Sequence, residues 1–203
     1  EHQQNTATKI HGHASTLTGI NFVEVASHSA ADIHFGATDL AGATNTGLTG
    51  IFVGYSSSGD NIVSLGAEAT IWLDNIEFAG SNNNPVAGNS GYETLLHEIG
   101  HMLGLGHPFN SPNALPGNQD NTQNTVMSYN VMGGLKSTFQ QYDAWALTWI
   151  YGGDGIAGNW GYNSVHGLSL SPGAEDITPP SVISFTPEDE SNNVVTDTVI
   201  RIA

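Results

Sequence analysis

A chain of 203 residues, 38% hydrophobic and 11% charged, is long enough to bury one sizeable core, and its apolar positions recur too evenly for a disordered segment. Only Lys9, Lys136 and Arg201 are basic against 19 acidic residues, a net charge of −16 that repels nucleic-acid phosphates and anionic lipid and attracts cations. With no cysteine there is neither a disulfide framework nor a thiolate metal site, and no apolar run reaches the roughly 20 residues of a membrane-spanning helix. The expectation is a soluble protein without nucleic-acid or membrane partners. No basic-then-apolar leader opens these residues, so the leader of an exported form is expected outside them.

In chain order, Gln3 to about Thr18 reads as a helix with Ile10, Ala14 and Leu17 on one face. "INFVEV" (20–25) and "ADIHFG" (31–36) alternate as short strands, and "GIFVGY" (50–55) and "EATIWLDN" (68–75) are further strands separated by Gly/Ser/Asn turns. "SNNNPVAGNSGY" (81–92) is a loop by composition, and Ser90 with Glu93 forms the capping-box pattern that starts the next helix. Gly104 is the expected stop, because glycine enters the left-handed region without steric cost. After an Asn/Pro/Gly-rich stretch (108–125) comes "TVMSYN". Ser137 with Gln140 then repeats the capping pattern before a helix through "YDAWALTWIY" closed by Gly152.

The middle helix carries the chemistry. His97 and His101 lie four apart, one turn above each other, and so present two imidazoles to one point. A catalytic zinc takes three protein ligands and leaves a fourth position open. A third histidine on the continuing helix would point elsewhere; Gly104 and Gly106 let the chain leave the helix and double back, so that His107 reaches the same ion. Glu98, one residue round from the first ligand, sits beside the open corner without binding the metal and is the candidate general base for peptide hydrolysis.

The extended motif HExxHxxGxxH, filled at every fixed position, followed by "TVMSY", resembles the metzincin metalloproteases, and Pro108 after the third histidine and Tyr129 two residues after Met127 are similar to the serralysin branch. The resemblance spans about the first 165 residues, including "INFVEV", "ADIHFG", "EATIWLDN", "WIYG" and "GYNS" (161–164). It implies an α+β fold with a twisted mixed sheet, an active-site helix, a C-terminal helix and a cleft between two subdomains. It also implies that Met127 forms an apolar floor beneath zinc, and that Tyr129 both ligates zinc at rest and holds the oxyanion during reaction. By the same resemblance, the strand near "TIWLDN" is the edge on which substrate lies extended, and the segment from Asn130 to Trp145 walls the pocket beyond the scissile bond.

The chain also departs from that pattern. The glycine-rich nonapeptide array that serralysins carry is missing, "GGDGIA" (152–157) has alanine where an acidic ligand belongs, and Asn130 stands where the family has tryptophan. The domain reading is a catalytic domain over 1–168, a linker over 169–178, and over 179–203 either the opening of a bacterial Ig-like module or an extra piece packed on the first domain. His2, His11, His13, His28 and His34 are expected to be solvated or hydrogen-bonded. Asp120 with Asn118 and Asn121, and Asp154, are candidate calcium ligands or, more simply, Asx turns. Asp143 early in its helix favours the dipole, with a buried role as the alternative. The function expected is a secreted, extracellular, monomeric zinc endopeptidase acting on proteins or peptides. The alternative is a secreted adhesin or polymer-binding protein that uses the zinc domain as a scaffold, against which an intact Glu98 argues.

Overall fold

The computed structural model describes residues 2–58, 61–110, 114–151 and 199–202. Helix α1 (His2–Thr18) buries Ala7, Ile10, Ala14 and Leu17, an i, i+3, i+7 stripe that lays one face on the core. It stops where Gly19 takes φ 71°, and the Thr18 hydroxyl closes the end by donating to the Ala14 carbonyl at 2.8 Å and accepting from the Ile20 N–H at 3.1 Å. A five-stranded mixed sheet follows in the order β1-β5-β2-β4-β3, from β1 (Phe22–Val25), β2 (Ile33–Thr38), β3 (Gly47–Ser58), β4 (Asn61–Asp74) and β5 (Val199–Ile202). β2 and β4 are parallel, β3 runs antiparallel to β4, and β5 lies antiparallel to both β1 and β2.

Two features of the sheet correct the sequence reading. The strand holding "TIWLDN" is β4, which lies between β2 and β3; the edge belongs to β3. Alternation alone does not distinguish an edge strand from its neighbour, because both halves of a hairpin carry the same period. The hairpin is also longer than the short runs suggest. β2 pairs with β4 only from Ala69 to Asp74, so the stretch of β4 from Glu68 back to Asn61 pairs with β3 alone and projects beyond the sheet.

Helix α3 (Ser90–Met102) lies against the sheet, with Leu95, Leu96 and Ile99 fully buried beside Ile71, Ile10, Leu147 and Met127. Its N-cap is Asn89, whose side chain accepts from the Tyr92 N–H at 2.9 Å, one position before the Ser90 expected to cap it. Glu93 does not close a capping box; its carboxylate accepts from the Lys136 N–H at 2.9 Å and ties a distant loop to the helix. A short helix α2 (Ala79–Asn82) precedes α3, inside the stretch read as loop. Helix α4 (Gln141–Tyr151) starts later than the Ser137 pattern implied, and at its start the Gln140 N–H donates to Asp143 at 2.8 Å. "GGDGIA", Asp154, "GYNS", the linker 169–178 and the stretch 179–198 lie outside the described residues.

At His11 the structure narrows the sequence reading. Of the two states expected for it, solvated or hydrogen-bonded, the first does not hold: it is 2% exposed, with its ring 4.5 Å from that of Phe22 and 5.7 Å from that of Phe35. Burial, partly opposed by the Ala7 carbonyl, lowers its pKa from 6.5 to about 4. The folded chain therefore refuses a proton that the unfolded chain accepts, so this contribution to stability is intact above pH 6.5 and is lost as pH falls towards 4, by roughly 3 kcal/mol in full. The variant His11→Phe should remove that dependence. Urea unfolding of both proteins across pH 7 to 4 should show their stabilities diverging by up to that amount in favour of the variant, whereas parallel curves would clear His11 of the effect.

Candidate metal centre

The turn that ends α3 also builds the site. Gly104 takes φ 94°, the Leu105 N–H donates back to Gly100 at 3.0 Å and the Gly104 N–H to His101 at 2.9 Å, which is the paired closure of a Schellman motif. Only Gly104 needs the left-handed region; Gly106 is not among the glycines with positive φ. The Leu105 carbonyl, swung round by this turn, accepts from Nδ1 of His101 at 2.8 Å. Helix end and ligand orientation are thus one construction. Two residues further on, His107 comes back over the helix, stacked on Phe109 with ring centroids 4.9 Å apart.

On two of the three rings the donor nitrogen can be assigned from its partner. A carbonyl only accepts, so His97 carries its proton on Nδ1, which donates to Val126 at 2.8 Å, and His101 does the same towards Leu105. Their Nε2 atoms are left with bare lone pairs, and these lie 3.2 Å (His97) and 3.0 Å (His101) from Nε2 of His107. The Tyr129 hydroxyl is 3.0 Å from the same His107 nitrogen. Burial is the first cause lowering the pKa of all three histidines, to about 4 for His97, whose imidazolium the neighbouring His101 and His107 also disfavour. The lone pairs of His97 and His101 thus converge on Nε2 of His107, with the Tyr129 hydroxyl beside them. A tetrahedral ion with bonds of about 2.0–2.1 Å holds its nitrogens roughly 3.3 Å apart, so this donor set fits a zinc-like dication.

Met127 is 1% exposed and lies under the helix: a Cβ on Gly100 would stand 2.6 Å from its sulfur. Tyr129 itself is largely exposed but flanked by fixed neighbours. Ser128 donates to Asp120 Oδ1 at 2.5 Å, and the Asn130 side chain donates to the Asp120 carbonyl at 2.9 Å and to its Oδ2 at 3.0 Å. Asp120 is therefore used as a tie inside the loop, while Asn121 makes the Asx turn, its Oδ1 accepting from the Gln123 N–H.

Glu98 is 5% exposed and faces β3. Thr49 Oγ1 lies 2.7 Å from Glu98 Oε2 and 2.9 Å from its main-chain carbonyl, and the strand comes close enough that a Cβ on Gly47 would lie 2.7 Å from Oε1. Burial raises the Glu98 carboxyl from 4.5 to about 7, against the lowering effect of the Thr49 hydroxyl. Thr49 and Gly47 escaped the sequence reading. Their signal is only that the edge strand, once placed, must carry a small residue and a hydroxyl where it crosses the helix. A cleft of about 670 Å³ runs along this line, bordered by Leu40, Asn45, Leu48, Thr49 and Ile51 on one side and by the three histidines, Glu98 and Tyr129 on the other. The residues bordering it include none from Asn130 to Trp145. Among the described residues a group of carboxylates, Asp39, Asp74 and Glu77, also gathers within reach of one another. Asp74 is occupied with the N–H groups of Leu40, Ile76 and Phe78, the last of which contributes most to holding its carboxyl below the usual range. No described helix is long and apolar enough to cross a membrane.

No protein-family model matches the chain. It is 30% identical over 184 residues to serralysin of Proteus mirabilis, an alignment covering 76% of this chain and 36% of that protein. It is 47% identical over 57 residues to the metalloprotease AprA of Pseudomonas entomophila, covering 24% of this chain and 12% of that one. The chain therefore spans about a third of the first curated relative it matches, and less of the second.

The contact between Met127 and Gly100 gives a direct test of the floor. Gly100→Ala should cost about 1–3 kcal/mol, since the sulfur cannot move without disturbing the turn of helix between His97 and His101. Gly54→Ala, on a strand with open space around it, should stay within about 0.5 kcal/mol. Chemical denaturation of the two variants would expose the floor as loosely packed if their losses were equal.

Proposed function

The chain is a homologue of the serralysin metalloproteases, and from that premise we propose that it is a secreted, zinc-dependent endopeptidase whose catalytic domain spans 1–168 and has a metzincin fold. What supports the reading most is the convergence of three neutral imidazole nitrogens beside a buried carboxylate, in a cleft bordered by the edge strand β3. β3 and the residues Leu40 to Asn45 before it border that cleft on one side, and α3 with His107 and Tyr129 borders it on the other.

His97, His101 and His107 are the residues that hold the ion, with Tyr129 as a fourth ligand at rest. An all-imidazole set of this kind suits zinc better than calcium or magnesium, which take oxygen ligands. When bound, the ion supplies Lewis acidity, which acidifies water and polarises the scissile carbonyl. The chain's own groups do the rest. The edge of β3, which has no neighbouring strand among the described residues, offers main-chain N–H and C=O groups with which an extended peptide pairs as an added strand, so the substrate's backbone is aligned before reaction. Glu98 takes the proton of the attacking water as its oxygen joins the carbonyl carbon. It then returns that proton to the amide nitrogen as the C–N bond breaks. Thr49 keeps the carboxylate turned towards the cleft, and burial keeps it basic enough to hold a proton between the two steps. Tyr129, largely exposed and with its hydroxyl 3.0 Å from His107 Nε2, donates that hydroxyl to the oxyanion.

Two substitutions test these roles. Glu98→Gln should bind zinc as the parent does yet hydrolyse casein slower by about 10²–10⁴-fold, the ordinary worth of a general base; near-normal cleavage would remove Glu98 from the mechanism. Tyr129→Phe should lower kcat by about 10²–10³-fold with little change in KM, as expected when one oxyanion donor is lost. A raised KM with intact kcat would make the tyrosine a binding group instead.

A further inference from the structure

His97 differs from its two partners in what stands behind it. The Val126 carbonyl that receives its Nδ1 proton belongs to the same peptide group as the Met127 N–H. That N–H donates to Thr125 Oγ1 at 3.0 Å, and the Thr125 hydroxyl donates to Asp143 Oδ1 at 2.5 Å. All three donors point the same way, so a single file of hydrogen bonds runs from the candidate ligand through one peptide and one hydroxyl to a carboxylate on α4. The other oxygen of Asp143 accepts from the Val126 N–H at 2.9 Å and from the Gln140 N–H at 2.8 Å. Asp143 is 2% exposed, and Thr125, Val126 and Met127 are 4%, 2% and 1% exposed, so water does not compete along the file. The Nδ1 proton of His101 ends on the Leu105 carbonyl.

We propose that Thr125 and Asp143 are positioning residues for the metal centre, which through the Val126–Met127 peptide fix the orientation of the His97 ring and raise the donor strength of its Nε2. The inference rests on reading the three histidines as metal ligands. Its physics is that of the carboxylate–histidine–metal arrangement, in which the partner of the remote ring nitrogen fixes the tautomer and makes the imidazole a better base. Here the carboxylate acts at one remove. Aligned hydrogen bonds polarise one another, and a low-dielectric surrounding preserves the effect. Burial raises the Asp143 carboxyl from 3.8 to about 6 while its three donors pull it down, so it is charged at neutral pH. A negative group at the far end draws the hydroxyl proton towards itself, which makes Thr125 Oγ1 a stronger acceptor, the Val126 carbonyl more electron-rich and the His97 Nδ1 proton more tightly held.

The test uses the full chain, stripped of metal, and two readouts: the dissociation constant for zinc by chelator competition, and the Nδ1 proton signal of His97 in protein carrying nitrogen-15 histidine, assigned with a His97→Asn variant. Thr125→Val, which removes the hydroxyl at nearly constant volume, should weaken zinc binding by about 10–100-fold and move the His97 signal even in metal-free protein, while Thr125→Ser should restore both to within about threefold. Ile10→Ala, which destabilises the core from α1, should leave the zinc constant unchanged. A parent-like zinc constant and an unmoved signal in Thr125→Val would overturn the proposal, as would an equal weakening in Ile10→Ala, which would reduce the effect to general stability. Should Thr125→Val not fold, Asp143→Asn gives the same reading, and an unmoved signal there overturns the proposal equally. Failure of the parent to bind zinc would count against the metal centre itself, whereas the metal-free signal judges the file of bonds on its own.

Discussion

Imidazole nitrogens that converge on one point need their rings held in place, and here two rings are held from behind by hydrogen bonds and the third by stacking on Phe109. That constraint organises the molecule. The rear nitrogens of His97 and His101 both end on main-chain carbonyls, Val126 and Leu105, so the site depends on two stretches of backbone lying at fixed height against α3. One is the helix's own terminating turn at Gly104. The other is the segment through Met127, which comes from elsewhere in the sequence and is pinned in turn by α4 through Asp143. Burial then keeps the rings neutral, which is the state in which a nitrogen can donate electrons to an ion rather than to a proton.

The sheet serves the same centre from the opposite side. β3 is held at one edge by β4 and presses Thr49 and Gly47 against Glu98, so the strand that borders the cleft also sets the position of the carboxylate within it. A single rigid contact between strand and helix therefore relates two things that must agree in space: where an extended peptide would lie, and where a proton would be taken up and released.

How much of this was legible in the sequence follows from the range of each interaction. His97, His101 and Glu98 could be read because helical spacing is a local rule, and His107 because Gly104 announces a turn at a fixed offset. Helices α1, α3 and α4 and parts of strands β1 to β4 were legible for the same reason, whereas the short α2, the placement of β5 in the sheet and the outer half of the β3–β4 hairpin were not. The edge position of β3 was not legible, since pairing order is a long-range fact that alternation does not encode. Nor were Thr49 and Thr125: a hydroxyl in a strand or loop looks the same whether it faces solvent, a buried glutamate or a buried aspartate. The burial of His11 was not legible, because the two phenylalanines against its ring come from separate strands.

The projecting β3–β4 hairpin has a consequence for how the molecule behaves in company. Among the described residues its outer edge has no neighbouring strand, and Ile51, Phe52, Val53 and Tyr55 stand exposed along it, which is the kind of border along which two copies of a protein zip together into aggregates. A formal charge of −16 opposes such encounters through mutual repulsion at neutral pH. The safeguard is colloidal rather than structural: it fades in concentrated salt, and it vanishes near the isoelectric point of about 4.5, where the sticky border would remain and the repulsion would not.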